Sequence, residues 1–212
     1  NLEASVPIAG HVVHMPAHIY VRTGDFQKAI ESNVRSQEVD KQFAKIWGDL
    51  PMPNIGTYPL SHKIHAYHAI DFIRYAATVQ GNYETAIDAA LSAKAKVLSY
   101  DEVHRYQKSI AAPWLIYKIF GQWDELLNSS PSHAGMPYLD GIWAYAKGSA
   151  MLSTDDLAGA KVQLEILQAI SSAPNADKYR AGPTPVYPLS SLLPWGLTAR
   201  LNRLQVISTA LS

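Results

Sequence analysis

A seven-residue pattern recurs along the chain and constrains its fold more than any other feature. Two close copies cover residues 24–30 (GDFQKAI) and 81–87 (GNYETAI), and looser copies begin at Gly121 (GQWDELL) and Asp155 (DDLAGAK). A glycine readily takes the left-handed conformation that ends a helix, and an alanine five residues later lets two helices approach closely. Each copy therefore predicts the elbow of a helical hairpin.

Paired helices joined by this Gly-x-aromatic-x-x-Ala elbow resemble the tetratricopeptide repeat family. The resemblance implies an all-α fold, namely a right-handed α-α superhelix of stacked hairpins with a C-terminal capping helix. The elbows are 57, 40 and 34 residues apart, which indicates degenerate repeats with insertions. We expect a single repeat domain over residues 1–212, with hairpins at about 11–47, 59–99, 101–128 and 138–171 and a terminal helix at about 189–211.

The string His14-Met-Pro-Ala-His18-Ile-Tyr also resembles one found in bacterial repeat proteins of unsettled function. It strengthens the fold prediction and leaves the activity open. Because the chain begins with Asn and opens almost directly on a helical pattern, we interpret it as a piece of a longer protein.

Charge and cysteine content exclude several classes of function. The 18 Lys and Arg residues equal the 18 Asp and Glu residues, so no overall basic field attracts nucleic acid. The absence of cysteine removes disulfides, thiolate metal sites and cysteine nucleophiles. No apolar run approaches 18 residues, so we expect no membrane insertion. The composition predicts a soluble protein and is compatible with either the cytoplasm or the periplasm.

Three histidines and an arginine precede the first elbow at spacings of 3, 4 and 4. At about 100° per residue, these side chains fall within roughly one quarter of a helix circumference. The 57-residue offset between the first two elbows aligns this stripe with a second set of residues before Gly81. In tetratricopeptide-like arrays such positions line a concave groove, so the resemblance implies a groove formed by His11, His14, His18, Arg22, His68, Asp71 and Tyr75.

Two functions remain open. The first is non-catalytic: the groove binds a protein or peptide segment, with Arg22 and the histidines as polar anchors. The alternative is a metal-binding helical module, because imidazoles at i,i+3 and i,i+4 spacing suit zinc or copper. The candidate ligands for that metal are His11, His14, His18, His65 and His68.

Enzymatic activity is not expected in this segment. It contains no His-Glu-x-x-His, no Gly-x-Ser-x-Gly and no phosphate-binding loop. Pro16 leaves one question open for the histidine stripe. If the helix begins at Pro16, then His11 and His14 lie in the lead-in and the common face dissolves.

Overall fold

The computed structural model describes residues 9–47, 66–99, 103–131, 133–174, 180–181, 184–185 and 197–198. The chain forms two compact units, Asn1–Ala93 and Lys94–Ser212, and each is considered by itself. None of the helices within these ranges is long and apolar enough to cross a membrane. The predicted loop at residues 50–59, and most of the predicted terminal helix at 189–211, lie outside the described residues.

The described part of the chain is almost entirely helical, so the predicted all-α class is confirmed there. A two-residue antiparallel pair, β1 (Arg180–Ala181) with β2 (Thr184–Pro185), is the exception. The helices are α1 (Gly10–His14), α2 (Pro16–Thr23), α3 (Phe26–Trp47), α4 (Ala66–Val79), α5 (Tyr83–Ser99), α6 (Gln107–Ile119), α7 (Trp123–Asn128), α8 (Pro137–Ser153) and α9 (Leu157–Ser171).

All four predicted elbows adopt the same backbone conformation. Each has a positive φ at its first residue: Gly24 (82°), Gly81 (74°), Gly121 (68°) and Asp155 (61°). In each, the amide N–H of the next residue donates to the carbonyl oxygen five residues earlier, at 2.8–2.9 Å. This bond closes the last turn of one helix while the left-handed residue redirects the chain into the next. The recurring pattern therefore encodes a single local structure.

The residue five positions after each elbow residue is fully buried. It is Leu126 in the elbow that begins at Gly121 and an alanine in the other three elbows, namely Ala29, Ala86 and Ala160. All four have 0% exposure. The N–H of each donates to the carbonyl of the residue after the elbow, which begins the second helix. In the three elbows that bury alanine, the small side chain allows the two helices of the hairpin to approach closely. How the hairpins of the two units stack into a superhelix stays a prediction.

Pro16 divides the first helical stretch into two helices, although the backbone between them stays helical. A proline lacks the N–H that would continue the helical ladder, so α1 ends at His14 and α2 begins at Pro16. Met15 between them keeps helical dihedral angles (φ −52°, ψ −39°). The N–H of Met15 donates to the carbonyl oxygen of His11 at 3.1 Å, and the N–H of His18 donates to the carbonyl oxygen of Met15 at 3.2 Å. Helical backbone therefore begins early enough to include both His11 and His14.

The second unit has an apolar core between α8 and α9. Gly148 of α8 lies so close to Leu197 that a Cβ at this position would come within 2.8 Å of its side chain. Leu197, from the region of the predicted capping helix, is therefore packed on this hairpin. The buried members of the core are Ala144, Leu152, Ala160, Leu167 and Leu197.

Candidate metal centre

Three of the predicted histidines converge in the first unit. One nitrogen from each of His14, His18 and His68 lies within 4.8 Å of the others. His14 and His18 come from the interrupted helix α1–α2, and His68 comes from the first turn of α4. Exposure increases across the set: His14 is fully buried, His18 is half-buried and His68 is exposed. The group therefore begins in the protein interior and opens to solvent at His68.

Phe72 packs against all three imidazoles. Its ring centroid lies 4.8 Å from His14, 4.7 Å from His18 and 5.0 Å from His68, in edge-on geometry. The histidine centroids are themselves 4.6–5.6 Å apart, so Phe72 covers one side of the triangle that they form. An aromatic ring at this position excludes water from that side of the cluster.

Asn33 of α3 determines which ring nitrogen of neutral His14 carries the proton. The Asn33 amide nitrogen donates to the carbonyl of Ala29 at 2.7 Å, which directs the amide oxygen Oδ1 towards His14. That oxygen lies 2.6 Å from His14 Nδ1 and can only accept, so Nδ1 must carry the proton. His14 Nε2 therefore presents a lone pair to the cluster. A metal-ligating histidine commonly has its second nitrogen fixed in this way.

The atoms His14 Nε2 and His18 Nε2 are 3.0 Å apart. Without a metal this is a hydrogen bond, in which His18 donates and His14 accepts. Two imidazole nitrogens on one tetrahedral zinc ion are separated by about 3.3 Å. The pair therefore needs only a small adjustment to share an ion, provided that the His18 proton moves to Nδ1. His14, His18 and His68 could thus hold a metal ion.

Helix α3 fixes the backbone that carries His14. Ser32 donates its hydroxyl to the carbonyl of Val13 at 2.6 Å, and Ser36 donates to the carbonyl of Gly10 at 2.7 Å. Both serines are buried and lie one helical turn apart. A Cβ at Gly10 would collide with the Asp40 carboxylate, so that side chain would have to move to admit a larger residue. The short helix α1 is therefore held to α3 by polar contacts at both of its ends.

The environment keeps two of the histidines neutral. The pKa of His14 is lowered to about 4, mainly by burial, while the Asn33 hydrogen bond opposes the shift and neighbouring His68, His18 and His11 contribute to it. Partial burial also lowers the pKa of His68, as do His18 and His11, although Asp71 raises it. The neutral imidazole is the form that coordinates a metal.

The other predicted groove residues lie outside this triangle. The His11 ring is 6.1 Å from the His14 ring. Asp71 forms an ion pair with Arg74 on its own helix, with Nη2 and Oδ1 3.2 Å apart. Arg22 is exposed, and Tyr75 is 49% exposed. The remaining candidate ligand, His65, lies outside the described residues.

Sequence reasoning missed Asn33 and Phe72. A signal for Asn33 exists, because it lies four residues after Ala29 and three after Ile30, on the face of α3 that points inward. An amide at a core position needs a buried partner. Comparison with protein families, with curated proteins and with solved structures finds no match to this chain.

Proposed function

We propose that this chain binds one divalent transition-metal ion through His14, His18 and His68. The single observation that carries the proposal is the convergence of three imidazoles with the His14 tautomer fixed by Asn33. Imidazole-only ligand sets favour zinc, copper, nickel or cobalt over calcium and magnesium, which prefer oxygen. Zinc or copper is the expected ion.

The crowding of the three rings also supports a metal. Desolvation and mutual repulsion make protonation of His14 and His68 unfavourable, so the cluster is held ready as neutral ligands. A buried asparagine that serves only to position His14 adds a polar group that a packing role would not require. Metal coordination would account for both the neutral imidazole cluster and the buried asparagine.

Metal binding can be measured on protein purified without a histidine tag and stripped with a chelator. Titration with zinc or copper against a competing chelator should give one ion per chain. The ion should raise the melting temperature, since a ligand at 100 times its Kd stabilises the folded state by about 2.7 kcal/mol. His14→Ala and His68→Ala should abolish both effects. The matched control is His104→Ala, which removes an exposed histidine of the second unit.

Three results would count against the proposed metal site. One is substoichiometric metal in the wild-type protein. Another is an unchanged response to zinc and copper in His14→Ala and His68→Ala. The third is a response lost equally in His104→Ala.

A second candidate function is a tetratricopeptide-like scaffold for a protein or peptide segment. It is favoured by the four elbows, which share one backbone geometry and so support a repeat array with a concave face. Under this proposal Arg22 is a polar anchor in the groove. Arg22→Glu should abolish pull-down of a native partner and leave helicity intact, whereas Lys41→Glu on α3 should not. Unchanged pull-down would remove Arg22 as an anchor.

A further inference from the structure

The metal centre has features of a site for an anionic ligand as well as for an ion. We infer that the bound metal and Arg22 together bind a carboxylate group, with one oxygen on the metal and the other on the guanidinium. This inference rests on the proposed metal binding and adds a ligand class to it.

The three ligands are neutral imidazoles, so a divalent ion bound by them keeps its full charge of two. The carboxylate on the same helix as His68, Asp71, is paired with Arg74 and does not belong to the convergent set. The described part of the site therefore does not neutralise the ion. An anion from outside is electrostatically favoured.

Three protein nitrogens leave one position of a tetrahedral ion for an exchangeable ligand, as in catalytic rather than structural zinc sites. Phe72 covers one side of the histidine triangle, while His68 is exposed to solvent. A ligand from solution can therefore reach the ion past His68.

Arg22 lies four residues after His18 on α2, which places both side chains on one face of that helix. Side chains on a helix lean towards its N-terminus, so the long Arg22 side chain can reach the turn that carries His18. Among the described residues, the Arg22 side chain has no hydrogen-bond or ion-pair partner, whereas Arg74 is engaged by Asp71. Arg22 is therefore an exposed cation one helical turn from His18.

The two anchors match the geometry of a carboxylate. Oxygen binds zinc at about 2.1 Å, and a guanidinium N–H binds a carboxylate oxygen at about 2.8 Å. The two oxygens of one carboxylate can therefore use both anchors, which a monoatomic anion such as chloride cannot. The source of the group is either a free small carboxylate or the C-terminus of a peptide.

Cobalt(II) provides a spectroscopic test, because its visible absorption reports a change of ligand directly. The cobalt-loaded chain is titrated with acetate, with N-acetyl-trialanine and with the C-terminal amide of that peptide. Acetate or the free peptide should change the spectrum saturably, and the amide should not. Arg22→Gln should weaken carboxylate binding about tenfold or more without lowering cobalt affinity, as expected for a lost charged hydrogen bond of about 1.5 kcal/mol. The matched control Lys41→Gln removes the same charge from α3 and should bind like the wild type.

The outcomes separate the two proposals. A chain that binds cobalt but shows no spectral change with any carboxylate overturns the carboxylate site and leaves metal binding standing. Equal carboxylate affinity in Arg22→Gln and wild type also overturns it. Failure to bind cobalt refutes the metal centre itself. Acetate as tight as the peptide supports a free carboxylate ligand, and tighter binding of the peptide supports a chain terminus.

Discussion

The first and fourth hairpins share an elbow and differ in their interiors. In both, the left-handed residue is followed by an N–H that donates across the turn at 2.8 Å, from Asp25 to Tyr20 and from Asp156 to Met151. The interior of the fourth hairpin is largely apolar, with Leu152 and Leu167 almost fully buried, although Ser149 and Gln163 are buried as well. The interior of the first hairpin instead buries the polar side chains of His14, Ser32, Asn33 and Ser36.

This difference distinguishes the buried residues that a hairpin requires from those that a binding site requires. A largely apolar interior suffices to hold a hairpin together, as in α8 and α9. Buried polar groups cost free energy unless each is paired, and the four in the first hairpin all have hydrogen-bond partners. Because the same elbow forms around either interior, the polar one is not a requirement of the hairpin. It marks the region where the chain holds the histidine cluster.

Acid should affect the two hairpins most differently, because His14 in the first hairpin is the one fully buried histidine among the described residues. The unfolded chain binds a proton at His14 below about pH 6.5, whereas the folded chain binds one only near pH 4. The stability contributed by neutral His14 is therefore complete above pH 6.5 and is lost as the pH falls towards 4. The loss amounts to about 3 kcal/mol.

Hydrogen exchange in the presence of a chelator measures this loss region by region. Protection of α1–α3 should fall between pH 6.5 and 4 after correction for intrinsic exchange, while that of α8–α9 should change little. The charges around His14 are His11, His18, His68 and, more distantly, Asp71. Equal loss of protection in the two hairpins would contradict a local origin at His14.

Replacing Asn33 sharpens the comparison at a single polar contact. Asn33→Leu keeps the size of the side chain and removes the acceptor of the buried His14 Nδ1–H. An unsatisfied buried donor costs about 2 kcal/mol of unfolding free energy. Loss of the tautomer-fixing contact should also weaken zinc binding by about 10- to 100-fold. Urea denaturation and chelator competition measure the two effects.

Ser149→Ala in the fourth hairpin is the matched control. Ser149 is fully buried, but its hydroxyl only donates to the carbonyl of Tyr145 on the same helix, so its loss leaves no buried donor unpaired. It should cost less than about 1 kcal/mol and leave metal affinity unchanged. If Asn33→Leu binds zinc as tightly as the wild type, Asn33 has no role in orienting His14.

The elbows could be predicted from sequence because they are local. Gly24 and Gly81 ended helices as expected, and the same was true of Asp155, a residue that tolerates positive φ. The all-α class follows from these short patterns. The arrangement of the whole array depends on contacts between distant hairpins, which no short pattern encodes.

The site could be predicted only in part. The histidine spacing brought His14 and His18 to one face, and the elbow alignment pointed to His68. The same alignment predicts Asp71 as a groove residue, which stays a prediction; Asp71 forms an ion pair with Arg74 one turn away. Phe72 lies four residues after His68 on α4, so that contact is local, but Phe72 reaches His14 and His18, and Asn33 reaches His14, through tertiary packing. Such contacts become visible only once the helices are packed.

The smallest expected effects test whether the two elbows are equivalent. A Cβ at Gly24 would contact nothing within 4 Å, so Gly24→Ala should cost only the strain of its positive φ, about 1 kcal/mol. Asp155 already bears this strain at φ 61°, so Asp155→Gly should be neutral or stabilise the fold by less than about 1 kcal/mol. In a chain of this length 1 kcal/mol corresponds to about 2–4 °C in melting temperature. If Gly24→Ala raises the melting temperature, or Asp155→Gly lowers it by several degrees, the shared left-handed conformation does not govern these turns. If the melting temperatures of the two variants shift as expected and zinc affinity is unchanged in both, the elbows act as scaffold alone. The difference between the hairpins then resides in their interiors.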